Sequence, residues 1–449
     1  VSTQVEQAPA RREVVGYALG SVGTGGFGTL PGLVLAYYLT DTLGVAAGLA
    51  GLAVTLPKIW DVVVDPLIGR ASDVSARRRG SRRAFLLAGA ATLPVCFALL
   101  FAVPTSVQGA AAAAWVVAAF LLATTAFSLF QVPYIALPAE LAQTPRARTR
   151  LVAPRIAVLA VAILAFGAGG PAIRDAAGGG RPGYLAMGVV TALLIGAGMA
   201  AAALLTTRPG PRPARDAEAP AGTPSPAGAG YRAGWLALRE SAPLRALLTA
   251  FVLQALATGA MLAAAQYVAT YTLGDESAVT FLFAALVAPA LLVMPLARRL
   301  ADRVGKLRAL VAATTVFAVA AALLVPARVA PGPWVYACVA LAGVAYAGMQ
   351  LYPLALLPDV IGDDARRRGA ERAGVVAGVW TAGETAGLAL GPAVALGVLA
   401  LTGFTSRTSQ AVVEQPGSAL WGVVIVFSVL PAVLALLSLV PLARFRLQS

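Results

Sequence analysis

Twelve apolar stretches, each twenty residues or longer, run through the chain at 14–40, 46–71, 84–104, 110–138, 151–172, 183–206, 244–272, 278–297, 307–328, 332–358, 372–402 and 418–442. As helices rising about 1.5 Å per residue, all are long enough to cross ~30 Å of hydrocarbon. Such a chain cannot hide its apolar surface in one soluble core, since 59% of its 449 residues are hydrophobic and only 12% charged, with a mean hydropathy of +0.80. It needs lipid as its solvent, so the expected fold class is an all-α membrane protein with twelve transmembrane helices.

The net charge of +14 would point to nucleic acid in a soluble protein, but the basic residues here stand in short clusters between the apolar stretches. Twenty-nine of the 34 Lys and Arg residues fall on one side of the expected membrane. Four fall on the other, Arg174, Arg181, Arg328 and Arg407, and Lys58 lies within a span. By the positive-inside rule both ends are expected in the cytoplasm, in a multi-pass protein of the cell membrane. The first fifteen residues, VSTQVEQAPARREVV, are polar and lack a short apolar region before a cleavage site, so insertion is expected to start from the first membrane helix.

RPGPRPARDAEAPAGTPSPAGAGYRAG, between the sixth and seventh spans, is too rich in Pro, Gly and Ala to build a core and reads as a linker. The expected organisation is a tail at 1–13, a six-helix bundle at 14–206, a cytoplasmic linker at 207–243, a second bundle at 244–442 and a tail at 443–449. The halves echo each other. QVPYIALPAEL (Gln131–Leu141) closes the fourth span and QLYPLALLPDV (Gln350–Val360) the tenth, with Pro133/Pro353 and Pro138/Pro358 each 220 residues apart. GRASDVSARRRGSRR after the second span is matched by ARRLADRVGKLR after the eighth. Corresponding loops in two pseudo-symmetric six-helix bundles describe the major facilitator fold, whose halves rock about a midplane site.

The chain has no histidine, so His-based proton relays, His metal ligation and Ser-His-Asp chemistry are excluded. Cys96 and Cys338 lie in apolar stretches of opposite halves and read as packing residues. No nucleophile–base pair, metal cluster or phosphate loop marks an enzyme; GGGRP lacks the strand and helix that a nucleotide loop requires.

The costly residues are acids inside spans. LPKIWDVVVDPLIGRASD places Asp61 and Asp65 at i, i+4 on one face of the second helix, about two turns into the membrane. They read as an oxygen cage for a monovalent cation or as a proton-sharing pair, weighed against an internal ion pair with Lys58. One lysine cannot neutralise both. Glu384, mid-span in VWTAGETAGLALGPA, could bind a cationic solute group, carry a proton, or face Lys58 or Arg155 across the cavity. Arg155 is a solute contact or a topology anchor. Gln131, Gln254, Gln266 and Gln350 offer neutral hydrogen bonds but equally glue helices together. Asp73 with Arg82 and Arg83, mirrored by Asp302 and Arg303, reads as a set of latches at the cytoplasmic helix ends, with Glu140 and Asp359 as gate candidates; plain solvated topology charges are the blander reading.

KIWDVVVDPLIGRASD followed by RRRGSRRAFLLAG resembles the glycoside–pentoside–hexuronide:cation symporter family. The likeness continues in PYIALPAEL with RTRLVAPR, in GGGRPGY, in QYVATYTLG, and in LLPD followed by ERAGVVAG. The resemblance implies that Asp61 and Asp65 are paired cation-binding acids and that Ser128 supplies a hydroxyl to the same site. It implies coupling to Na⁺, H⁺ or Li⁺, with no cofactor and no metal beyond a Na⁺ at Asp61/Asp65. Departures are equally marked. The family's first-helix sugar acid falls at Thr24 and Gly25, its fourth-helix acid at Gln131, and its eleventh-helix lysine on or next to Glu384 and Thr385.

The expected function is therefore cation-coupled symport of an organic solute by alternating access. With the charged sugar clasp missing, an amphipathic or lipid-like solute is expected rather than a simple galactoside, while a modified glycoside held by neutral amides stays open. The candidate solute contacts are Thr24, Gln131, Tyr134, Arg155, Gln266, Trp380 and Glu384. A proton-driven exporter of a hydrophobic compound or secondary metabolite is the alternative, and a non-transporting receptor a more distant one. The expected partners are a small organic solute, a monovalent cation or proton, and membrane lipids; no nucleic acid is expected, and the functional unit is expected to be a monomer.

Overall fold

The computed structural model describes residues 9–79, 81–142, 144–206, 235–236, 238–368, 373–408 and 414–445. Among them, 12 helices are long and apolar enough to cross a membrane. In the first half these are α1 (Arg11–Tyr37), α2 (Ala47–Arg79), α3 (Arg83–Phe101), α4 (Gly109–Leu141), α5 (Pro145–Ala176) and α6 (Gly180–Thr206). The second half has α7 (Ala242–Val268), α8 (Ala278–Val304), α9 (Lys306–Ala322), α10 (Trp334–Arg368), α11 (Ala373–Leu401) and α12, which runs from Gly417 to Ala443 through a π-helical stretch at Ile425–Val429. Most of the expected linker, 207–234, lies outside the described residues.

The helices begin and end where side chains, rather than hydropathy, decide. Helix α1 starts at Arg11, inside the expected tail, because the Glu13 carboxylate turns back to accept from the Ala10 N–H at 3.0 Å and caps the first turn. Helices α2 and α10 continue past their apolar stretches through Arg79 and Arg368, the last described residues before a gap in each case; the exposed Arg78 and Arg366 carry helical backbone into the interface at no cost in lipid. The ninth span is not one helix. After Ala322 the chain re-forms as a 3₁₀ turn at Val325–Arg328, where Pro326 has no N–H to give to an α-helical ladder.

We call the face holding both ends of the described chain the near face, and the opposite one the far face. Helices α1 and α7 are the most enclosed, with 72% of the membrane-length window of each buried. Both finish at the far face in a π turn, Tyr38–Thr42 and Ala269–Leu273. A π turn widens the helix by one residue, a feature frequent at functional sites. The buried apolar residues form two clusters. One fills the first half and continues at the far end into the second through Tyr267, Phe283 and Leu399. The other, around Leu247, Phe251, Tyr352 and Trp380, belongs to the second half alone and lies toward the near face. The halves thus share a core at one end only. There α1 packs on α7, α2 on α11 and α5 on α8, and Phe283 seats so closely against Gly167 that a Cβ on the glycine would fall 2.0 Å from the ring.

Candidate functional site

Helix α2 carries Lys58, Asp61 and Asp65 on successive turns, and Pro66 removes an N–H from the ladder directly after them, loosening the turn that presents the acids. Lys58 Nζ stands 3.7 Å from Asp61 Oδ2. Its ammonium also lies 5.6 Å from the Phe27 ring centroid and 5.7 Å from that of Phe120, so two aromatic faces hold it by charge as well as by contact. The other Asp61 oxygen, Oδ1, is buried without a hydrogen-bond partner, and the side chain is 17% exposed. Asp65 is exposed, with the buried Ser128 hydroxyl of α4 facing its carboxylate. Thr124, one turn earlier on α4 and fully buried, stands in the same relation to Asp61. It was not singled out in the sequence, although its i−4 spacing from Ser128 puts it on the same face. Trp60 Nε1 donates to Thr125 Oγ1 at 3.0 Å and ties α2 to α4 beside the pair. One ammonium among two carboxylates leaves a net negative charge with hydroxyl oxygens facing it.

The remaining first-half candidates divide into two groups. Thr24 Oγ1 donates to Gln131 Oε1 at 3.0 Å, so these two side chains satisfy one another. Tyr134 is fully buried. Its hydroxyl donates to the Tyr17 carbonyl and lies 3.1 Å from Ser21 Oγ. The Arg155 guanidinium sits over the rings of Tyr17 at 5.6 Å and Tyr134 at 5.2 Å, and its Nε has no hydrogen-bond partner. Tyr134 is thereby a strut between α4 and α1 that carries Arg155 on its ring. Tyr134→Phe is expected to leave the Tyr17 carbonyl short of a donor and to cost ~1 kcal/mol. Thermal unfolding of the purified variant in detergent should show a drop of a few degrees, and an unchanged midpoint would remove the strut.

In the second half Glu384 is half-buried on α11, its charge acting on the Tyr346 phenol of α10, which Gln350 in turn accompanies. Trp380, one turn earlier, is buried and stacks on Phe251 at 4.5 Å and 19°, its Nε1 without a partner. Helix α11 is held close to α7 by Gly391, where a Cβ would lie 2.5 Å from the Gly259 carbonyl carbon. Gln254 is buried glue, donating to Thr314 Oγ1 at 2.9 Å and Ser438 Oγ at 3.3 Å.

Among the described residues, two near-face ion pairs lie within their own halves. Arg82 Nη1 meets Asp73 Oδ1 at 2.6 Å and donates to Ser72 Oγ at 3.0 Å. Lys306 Nζ meets Asp359 Oδ2 at 2.7 Å and the Ala355 carbonyl at 3.0 Å. Arg83 begins α3, its Nε buried without a hydrogen-bond partner. Asp302 and Arg303 are exposed near the end of α8. The side chain of Glu140 lies outside the described residues.

Among the described residues, the polar links between halves gather at the far face. Arg174, 1% exposed on α5, donates to Gln266 Oε1 of α7 at 2.8 Å and to the Glu276 carbonyl at 3.4 Å, while its Nη2 pairs with Asp175 at 2.7 Å. Gln266 is thus fully buried in this network. Arg407, between α11 and α12, donates from Nε to Asp41 Oδ1 at 3.1 Å and from Nη2 to the Tyr37 hydroxyl at 3.2 Å. Tyr271 donates to Asp41, Tyr37 to Glu276 Oε1 at 3.2 Å, and the Thr40 and Tyr267 hydroxyls meet at 2.7 Å. The two π turns carry Thr40, Asp41 and Tyr271 of this network, with Tyr37 and Tyr267 just before them. A signal was there to be read: Arg174 and Arg407 are two of the four basic residues on the sparse side of the topology, and Asp41 is an acid at the end of an apolar span.

The family described as MFS/sugar transport protein matches residues 16–449. YagG of Escherichia coli (strain K12), named as a glycoside/cation symporter, is 33% identical over 156 residues, covering 34% of this chain and 34% of its own. The glucuronide carrier protein homolog of the same organism is 34% identical over 166 residues, 36% of each chain. The matches span about a third of the length of these curated relatives. Among solved structures, the nucleoside transporter NupG superposes with a TM-score of 0.66 at 12% identity, over 97% of this chain and 98% of that one. A bacterial homologue of the human lysosomal transporter Spinster does so with 0.67 at 12%, over 97% of both chains. At that identity the likeness speaks for the fold alone, the major facilitator arrangement of two six-helix halves.

Proposed function

Because the chain belongs to the MFS/sugar transport protein family, we propose that it is a secondary active symporter of the glycoside–pentoside–hexuronide:cation type, moving an organic solute together with Na⁺ or H⁺ across the cell membrane. The observation that carries this reading is the orphaned, buried Oδ1 of Asp61 one turn from Asp65, with hydroxyls of α4 facing both acids. A buried acceptor without a donor is costly, and a coupling cation relieves that cost. Loading the cation stabilises the form that binds solute, and the doubly loaded carrier then switches access. In this reading the near face is cytoplasmic, the far-face network is the closed outer gate, and the described conformation opens inward. The Thr24–Gln131 pair, the Arg155 guanidinium and Glu384 face the solute path.

The test is cation binding to the purified protein, followed by tryptophan fluorescence in Na⁺, Li⁺ and pH titrations; Trp60, next to Asp61, is the reporter. Saturable binding that Asp61→Asn and Asp65→Asn each weaken at least tenfold supports the assignment. Binding that neither substitution alters, or no binding at all, overturns it.

A further inference from the structure

Glu384 has no evident work in the coupling scheme. It sits 17 residues before Leu401, the far end of α11, within the candidate membrane span Val379–Leu401. An acid inside a span is costly unless something balances it. Among the described residues no cation pairs with it; its neighbours are the Tyr346 phenol and, beyond it, the Gln350 amide. On α5, the equivalent helix of the first half, the charge is of opposite sign. Arg155 lies 21 residues before the far end of α5 at Ala176, about one turn nearer the near face than Glu384 on α11. It is propped on Tyr17 and Tyr134 with its Nε unpartnered. Thr24 and Gln131 are neutral and satisfy each other. The equivalent helices of the two halves therefore carry charges of opposite sign within about one turn of the same depth.

We propose that the solute carries a positively charged nitrogen, which Glu384 receives with the Tyr346 phenol and Gln350 amide beside it, and which Arg155 excludes from the opposite wall. A protonated amine suits such a site doubly, since its N–H groups bond the carboxylate and its charge is attracted to the aromatic face. A quaternary ammonium gains the charge and the ring without the hydrogen bonds. A neutral polyol gains neither, and its hydroxyls leave the carboxylate charge unbalanced. The geometry thereby sets both substrate class and orientation: the cationic end points to the second half, the neutral or anionic end to Arg155. This assignment rests on the chain being a solute symporter coupled at Asp61 and Asp65, but it invokes none of those residues.

The experiment compares matched pairs by calorimetry on the full-length protein in detergent or nanodiscs: glucosamine against glucose, and lysophosphatidylcholine against lysophosphatidylglycerol. The cationic nitrogen of at least one pair is expected to bind tenfold or more tighter than its partner. Glu384→Gln is expected to erase that preference and Glu384→Asp to keep most of it, while cation affinity at Asp61/Asp65 stays within twofold of wild type in both variants. Absence of preference in both pairs, including absence of binding, overturns the proposal, as does a preference that survives in Glu384→Gln. Loss of cation binding in Glu384→Gln also overturns it, because Glu384 would then belong to the coupling machinery. Should Asp65→Asn leave cation binding intact, the coupling assignment fails, whereas the amine preference is judged on its own pairs.

Discussion

Asp65→Asn is expected to abolish uphill uptake while leaving solute exchange across the membrane in place. A symporter that moves one cation per solute down a tenfold gradient and a potential of 100 mV has about 1.4 plus 2.3 kcal/mol to spend. That sustains a solute ratio on the order of several hundred. The asparagine side chain is close in shape to aspartate and keeps an oxygen facing Ser128, so helix packing is retained. What vanishes is the second negative charge, and Lys58 alone then balances Asp61 across their 3.7 Å contact. The pair no longer needs a cation, the empty and loaded forms become alike in charge, and the solute ratio is expected to fall to about one. Proteoliposomes preloaded with solute, with and without an imposed Na⁺ or H⁺ gradient, separate the two activities. Uphill accumulation that persists in Asp65→Asn would detach coupling from this residue. Asp61→Asn is expected to act in the same direction and to disturb folding as well, since it leaves Lys58 half-buried without its partner.

Arg407→Ala is expected to open the far face. Asp41 is fully buried, and Arg407 is its ion-pair partner; the same guanidinium bonds the Tyr37 hydroxyl and approaches Glu276 at 3.6 Å. Removing one member of a buried pair strands the other, at a cost of roughly 3–5 kcal/mol. Opening the halves lets water reach Asp41 and recovers much of that cost, so the ratio of far-open to far-closed forms rises by a hundredfold or more. Spin labels at Ser106 and Val329, exposed on far-face loops of the two halves, report it as a new population at longer distance. Adding Asp41→Asn to the same chain removes the stranded charge and is expected to restore part of the short-distance population. A distance distribution that Arg407→Ala leaves unchanged would show that apolar packing, with Phe283 against Gly167, closes this face without the ion pair.

Much of this architecture is legible in one sequence because lipid removes alternatives. Backbone polar groups in hydrocarbon must bond within their own helix, so an apolar run of sufficient length has one outcome, and the twelve spans and two halves follow. The acids on α2 are legible for the same reason: an ionised group at that depth is too costly to be incidental. Which way a side chain turns is another matter. A soluble helix announces its buried face by a polar stripe opposite, whereas these helices are apolar on nearly all sides, and lipid and protein neighbours look alike. Tyr134 and Gln266 could therefore stand as cavity residues in the sequence, yet one is a strut under Arg155 and the other is bonded to Arg174. The π turns that gather Asp41, Tyr37 and Tyr271 are decided by tertiary contacts across the halves, and no local pattern in YLTDT or ATYTL demands them. The helix ends at Arg11 and Ala322 turned on a single capping glutamate and a single proline, details that hydropathy averages away.

The far-face closure sets neutral hydroxyls and the Gln266 amide among two arginines and three carboxylates, and its makeup bears on how fast the molecule can cycle. A carrier turning over about ten times a second crosses a barrier of roughly 16 kcal/mol, and each further ~1.4 kcal/mol makes it ten times slower. Ordinary hydrogen bonds exchanged for bonds to water contribute about 1 kcal/mol each, so a closure made of them yields in small steps. Recasting Thr40 and Tyr267, whose hydroxyls meet at 2.7 Å, as a charged pair would hold the gate shut far longer. The tyrosines and threonines interposed among its charged groups set a tempo.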